Sequence, residues 1–191
     1  VALAALCIPL VHVVAELTHR LLPAAPMTQD ESQAKHLDPL ALPTPSLALT
    51  CAAREALRIG DFVEQMLTTL GRLMRTNHRA SADEIRRLDD VVDSLYKQVK
   101  FYLTQVSRTP MGERDSRRWT DIISFTINLE QVGDIIEKSA NDVVSKNIDR
   151  NRNFSDAGMQ ELCDLHARLI SNLRLAMNVF INNDVNDAEK L

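Results

Sequence analysis

Four long stretches of this sequence repeat apolar residues every three or four positions, and that periodicity limits the fold more than any other feature. Side chains at such spacing share one face of an α-helix, whereas alternate residues share one face of a strand. The first stretch carries Ala52, Ala56, Ile59, Val63, Met66 and Leu70 on its face, and the second Ile85, Leu88, Val92, Leu95, Val99 and Leu103. The third carries Trp119, Ile122, Phe125, Leu129, Val132, Ile136 and Val143, and the fourth Met159, Leu162, His166, Leu169, Leu173, Met177 and Phe180. No stretch alternates well enough to read as a strand. With only 5 glycines and 4% aromatic residues, the chain is expected to be all-α, its long antiparallel helices joined by short turns.

Local signals set the expected boundaries. Thr44 precedes Pro45, a residue suited to the first helical position, and the first helix should run to about Asn77. In "SADE", Ser81 and Glu84 have the spacing of a capping box for the second helix. The third helix should open near Thr109 and Pro110 and run to about Ile148, and Ser155 should cap the fourth. The closing "NNDVNDAEKL" reads as a turn and the first turn of a fifth helix.

The front of the chain differs in character. Residues 1–15, "VALAALCIPLVHVVA", contain no charge, although a bilayer crossing needs about 20 apolar residues. Val1 in place of Met points to a piece of a longer protein. Residues 1–22 are therefore expected to be an apolar helix at the end of a transmembrane segment, with a buried core helix as the alternative. Glu16, His19 and Arg20 close the run, and the positive-inside tendency puts the remainder of the chain in the cytoplasm. Residues 23–46 hold five prolines and read as a linker. Residues 47–191 read as a helical domain, incomplete at its C-terminus.

A net charge of −4 and a pI near 5.7 argue against a nucleic-acid surface, which normally shows as a basic stripe. Cys7, Cys51 and Cys163 are scattered, with no metal-type or disulfide-framework spacing, and fit a reducing compartment.

Two helices carry acids in a repeated arrangement. "LEQVGD" places Glu130 and Asp134 four residues apart, and "LDDVVD" does the same for Asp89 and Asp93, with Asp90 beside them. Like charges at that spacing repel by roughly 0.2–0.5 kcal/mol, and Gly133 inside the helix costs about 1 kcal/mol relative to Ala. Each acid follows an apolar-face position directly (Leu88, Val92, Leu129, Gly133), which sets both pairs on the flank of the face. Four carboxylates meeting there would repel unless a cation sat among them, and all-oxygen donors suit Mg²⁺, Ca²⁺, Mn²⁺ or iron. Gly133 would allow a metal or a neighbouring backbone to come close. The plain alternative is a solvated helix face, which spacing alone favours.

"LEQVGD", together with "LDDVVDSLYKQVKFYL" on the preceding helix, resembles the first three-helix bundle of the PhoU family, from residue 47 to the end. That family pairs Glu/Asp-x-x-x-Asp motifs on adjacent helices, and members hold multinuclear metal clusters there. The resemblance implies a metal set of Asp89, Asp93, Glu130 and Asp134, with iron, manganese or magnesium as the metal. It also implies a truncated second repeat, because the family's domain has two three-helix bundles. "ELTHRLLP", then "HLDPLALPTPSLAL" and "AAREALRIGDFVEQML", is similar to the junction between the membrane domain of sodium/phosphate cotransporter family proteins and a cytoplasmic PhoU-like tail. The resemblance implies a non-enzymatic regulatory domain of a sodium-dependent phosphate transporter at the inner membrane, on its cytoplasmic side. Its partners would be the membrane domain of the same protein and further copies of itself. The alternatives are a free-standing cytosolic PhoU-type adaptor and a carboxylate di-metal bundle enzyme.

Other features are weaker. "RIGDFVE" aligns with "QVGDIIE", so that Asp61 matches Asp134 and Glu64 matches Glu137, but Leu57 stands where Glu130 would be. Asp61 is accordingly expected to be exposed surface. His166 lies on an apolar face and is expected to be a satisfied core histidine. Glu16 and His19 have a di-iron spacing without a second copy. Arg114, Arg117 and Arg118 would meet phosphate or lipid headgroups, or simply form a solvated end. No nucleophile triad, phosphate-cradling glycine loop or zinc spacing is present.

Overall fold

Proline, asparagine and glycine punctuate this chain, and the computed structural model, which describes residues 31–182, breaks its helices at such residues. A short 3-10 turn, Pro39–Ala41, leads to α1, Pro45–Thr76. Thr44 is its N-cap and Pro45 its first residue, although the Thr44 side chain makes no capping hydrogen bond. α1 stops at Asn77, which takes the left-handed conformation (φ 50°) and donates its N–H to the Leu73 carbonyl at 2.9 Å. Asparagine is among the few residues that tolerate this conformation. Only His78 separates Asn77 from α2, Arg79–Val106, so the chain must double back. α3, Glu113–Val143, comes after a short turn, and the Trp119 indole N–H donates to the Leu103 carbonyl at 2.9 Å, tying the start of α3 to the end of α2. A π-helical turn, Val144–Ile148, ends this run, and α4, Asp156–Asn182, comes next. Ser155 caps α4, accepting the N–H of Gly158 at 3.2 Å. Among the described residues there is no strand.

α1 is the central helix and packs against α2, α3 and α4. Ala48, Ala52 and Ala56 have no exposed surface, and such small side chains let neighbouring helices approach closely. Ile59, Val63, Met66 and Leu73 of α1 meet Ile85, Leu88, Leu95, Val99 and Leu103 of α2 in one core, which Ile122, Leu129 and Ile136 of α3 complete. The expected all-α bundle is the observed fold.

Several boundaries and faces differ from expectation. α2 begins with His78 as its N-cap, which puts Ser81 inside the first turn, buried, and Glu84 in an ion pair with Arg72 of α1. No capping box forms, because the connection from α1 is too short to leave Ser81 outside the helix. α3 starts behind Gly112 and not at Pro110. Its inner face runs through Ile122, Thr126, Leu129, Gly133, Ile136 and Ala140, while Val132 is 37% exposed. Leu169 of α4 is exposed as well. The expected linker is held against the bundle from Ser32 on, by hydrogen bonds to Glu55, Ser94, Gln98 and Tyr102. The apolar segment 1–22 lies outside the described residues.

Candidate metal centre

α2 and α3 are neighbours, and the flanks they turn toward each other carry the two acid pairs. Asp93, Glu130 and Asp134 converge: one carboxylate oxygen from each lies within 4.8 Å of the others. Donors that close can share one hard cation, which takes oxygen ligands at about 2.0–2.6 Å, once the side chains draw in around it. Asp93 and Glu130 are half-buried and Asp134 is exposed, so the site is a shallow, water-accessible notch with room for further oxygen ligands.

Asp89, the fourth expected ligand, lies one helical turn from Asp93 and does not join the trio within that distance. Its Oδ1 would be 3.3 Å from a Cβ built on Gly133, so the missing side chain there makes room for a carboxylate. Glu137 is a further acidic neighbour, not among the expected ligands. It lies three residues beyond Asp134 on the same face, a spacing visible in "QVGDIIE", and it sits 3.7 Å from the Arg86 guanidinium. Partial burial and then the charges of Glu137, Asp134, Asp93 and Asp90 push the Asp89 carboxyl up to about 6. Burial, then Asp134 and Asp93, push Glu130 upward, against the nearby lysines Lys100 and Lys97. Lys97 donates to Asp93 Oδ2 at 2.9 Å, and that bond holds its ammonium above the usual lysine range. Asp93, Asp134 and Glu130 thus form a concentrated field of negative charge that the Lys97 ammonium only partly answers. The donor set fits a hard cation.

The other candidates separate from this site. Asp61 is exposed, and burial of part of its surface and the charge of Glu64 raise its carboxyl. Glu64 itself is held by Arg174 of α4 at 2.6 Å. Glu64 therefore faces α4, where Gly60 accommodates Met177. His166 places Nε2 2.7 Å from the Leu67 carbonyl and stacks over Gly71, so it is a satisfied packing residue. Arg114, Arg117 and Arg118 line a cleft of about 910 Å³ with Arg54, but Glu113, Asp115 and Asp121 line it too. Arg117 pairs with Glu113, and Arg118 donates to the Phe180 carbonyl at 3.2 Å. Cys51 and Cys163 are free thiols, half-buried.

The pattern that defines the PhoU domain matches residues 56–143, a span that includes both acid-bearing helix segments. A protein named "Putative inorganic phosphate export protein YjbB" in Escherichia coli K12 is 40% identical over 184 residues, 96% of this chain and 34% of its own length. The proteins of the same name in Shigella flexneri and Salmonella typhimurium LT2 match with the same identity and coverage. The chain thus spans about a third of the length of these relatives. No solved structure matches the chain. Among the described residues no helix is long and apolar enough to cross a membrane. The chain carries a PhoU domain, built by α1, α2 and α3.

Proposed function

We propose that this PhoU domain is a cation-binding regulatory module of a phosphate-transport protein, acting on transport through contacts that its helices make with the rest of that protein. The observation that carries the reading is the convergence of Asp93, Glu130 and Asp134 on facing flanks of α2 and α3. A bound Mn²⁺, Mg²⁺ or iron would supply the positive charge that lets these carboxylates stay ionised side by side. Asp93, Glu130 and Asp134 would hold the ion. Asp89 would enlarge the site toward Gly133, where a second ion of a multinuclear cluster would find oxygen donors. The absence of histidine among the converging donors speaks against the carboxylate di-metal bundle enzyme and favours a regulatory role.

Attachment to a membrane domain is favoured over a free-standing adaptor by the length of the YjbB relatives, about three times the stretch that this chain matches. On this reading the domain lies on the cytoplasmic side of the inner membrane, with the membrane part of the same protein and further copies as its partners. The relatives' name speaks of export, so the proposal concerns phosphate transport and not sodium-driven uptake in particular.

Thermal melts in the presence of Mn²⁺ test the cation site. Ligand binding to the folded state stabilises by RT ln(1 + [L]/Kd), about 2.7 kcal/mol at a hundred times Kd. The double variant Glu130→Gln/Asp134→Asn should lose that response while its metal-free stability stays the same or rises, because two repelling charges are gone. Equal Mn²⁺ responses in wild type and variant would return the acids to being a solvated face.

A further inference from the structure

α2 presents two polar flanks that differ in what they hold. Asp93 faces α3 and the acid notch. Ser94, the next residue and so about 100° further around the helix, faces the chain that leads into the bundle. Ser94 donates its hydroxyl to the Ser32 carbonyl at 3.1 Å. Gln98, one turn on, donates to the same carbonyl at 2.6 Å and accepts the Ala34 N–H at 3.0 Å. The Gln98 amide also reaches the Ser94 carbonyl and hydroxyl, each at 3.2 Å, so the two side chains act together. Tyr102, a further turn along, donates to the Asp38 carbonyl at 2.7 Å. From the other side Glu55 of α1, which has no exposed surface, accepts the N–H groups of Lys35 at 2.9 Å and His36 at 2.7 Å. Arg58 pairs with Glu55 at 2.6 Å and donates to the Gln33 carbonyl at 2.8 Å.

This is more than a linker requires. A connecting segment normally runs in water with its backbone solvated. Here backbone groups of Ser32, Gln33, Ala34, Lys35, His36 and Asp38 are bound by side chains of two helices, one of which also carries half of the acid notch.

We infer that residues 32–38 form a clasp whose closure is coupled, through Ser94 and Gln98 of α2, to cation binding at Asp93, Glu130 and Asp134. The coupling rests on the cation reading of the notch. Without a cation, the facing carboxylates repel and press the α2 flank away from α3. A cation draws Asp93 toward Glu130 and Asp134, and a helix moves as one body. Any turn of α2 about its axis therefore carries Ser94 and Gln98 with Asp93 and changes their reach to Ser32 and Ala34. The chain upstream of the clasp would then receive the state of the notch as a change in how firmly residue 32 is fixed. Linkage makes the effect reciprocal: a clasp that closes better with the cation must also tighten cation binding by the same factor.

Hydrogen–deuterium exchange of the full chain with and without Mn²⁺ tests this. Mn²⁺ should slow exchange at Ala34, Lys35 and His36 by about fivefold or more, the lower end of typical coupling. Asp93→Asn should lose that slowing. Gln98→Ala should abolish it and weaken Mn²⁺ affinity by a matching factor. Ser94→Ala, which removes one hydroxyl, should give the same pattern at smaller size and serves if Gln98→Ala folds poorly. If Mn²⁺ protects the segments 89–93 and 130–134 yet leaves 34–36 unchanged, the coupling is overturned while the cation site stands. If Mn²⁺ protects neither, both readings fall together.

Discussion

Glycine is the residue on which this fold turns, because three of its helical glycines each face a different neighbour. Gly60 faces Met177, Gly71 faces the His166 ring, and Gly133 faces Asp89. A Cβ at position 71 would lie 2.6 Å from His166 Cε1, and that ring is anchored to the Leu67 carbonyl, so something must shift. Gly71→Ala is expected to destabilise by about 1–3 kcal/mol, as overpacking does. At position 133 the closest neighbour is a half-buried carboxylate at 3.3 Å, which has room to yield. Gly133→Ala should stay within about 1 kcal/mol of wild type, since better helix propensity offsets the displaced Asp89. Urea titrations of the two variants check the contrast, and a larger loss at 133 than at 71 would contradict it. Asp89 supplies a pH prediction as well. Its folded carboxyl is raised to about 6, above an unfolded value near 4, so protonation favours the folded state. The stabilisation from this group is complete below about pH 4 and is lost as pH rises through about 6. Metal-free protein should therefore gain stability from Asp89 protonation on acidification across that window, and Asp89→Asn should remove this contribution and be the more stable form at neutral pH. A variant with the wild-type pH profile would show that Asp89 titrates normally.

At the level of the elements, the helices were legible because their apolar spacing is regular, and the ends were less so. Thr44 and Ser155 stand where caps were expected, but Ser81 does not, because a two-residue connection between α1 and α2 overrides the local capping pattern. Val132 misled because an apolar residue at helical spacing fits the inner face equally well on paper. In the bundle Gly133 takes that place and so brings α3 close to Asp89 and Val92. Three of the four acids expected to meet do meet, since residues four apart share a flank wherever the helix is set. That Asp89 falls outside depends on the relative height of α2 and α3, which no spacing within one helix records. Least legible was the segment 32–44, whose prolines hide a close fit to α1 and α2. Glu55 gives that fit its test. Glu55→Ala would remove the buried acceptor of two backbone N–H groups and the carboxylate that pairs with Arg58. Breaking a buried pair in this way costs about 3–5 kcal/mol. Glu55→Gln, which keeps an acceptor oxygen, should cost less. Chemical denaturation of both checks the order, and equal losses would mean that the charge and not the hydrogen bonding matters.

The whole molecule is uneven in how well it is buried. α1, α2 and α3 share a core in which many side chains have almost no exposed surface, whereas among the described residues of α4 Phe180 alone joins the buried apolar set. Leu165 is 54% exposed and Leu169 46%. α4 is instead fastened at separate points. His166 meets Leu67, Arg174 meets Glu64, and Phe180 stacks on Phe125 at 4.1 Å with the Arg118 guanidinium 4.6 Å above its ring. Local opening tracks such differences in buried apolar contact. Backbone amides in α4 should therefore exchange faster than those in the middle of α1, by about tenfold or more, which corresponds to about 1.4 kcal/mol of lower local stability. The outward apolar residues add a dependence on concentration. If a second copy covers Leu165 and Leu169, burying them raises α4 protection as protein concentration rises, by mass action. Leu169→Lys should remove that rise and leave exchange in α1, α2 and α3 unchanged, because the residue lies outside their shared core. Exchange in α4 that is slow and independent of concentration would instead mean that its few anchors suffice, and that the exposed leucines need no second copy.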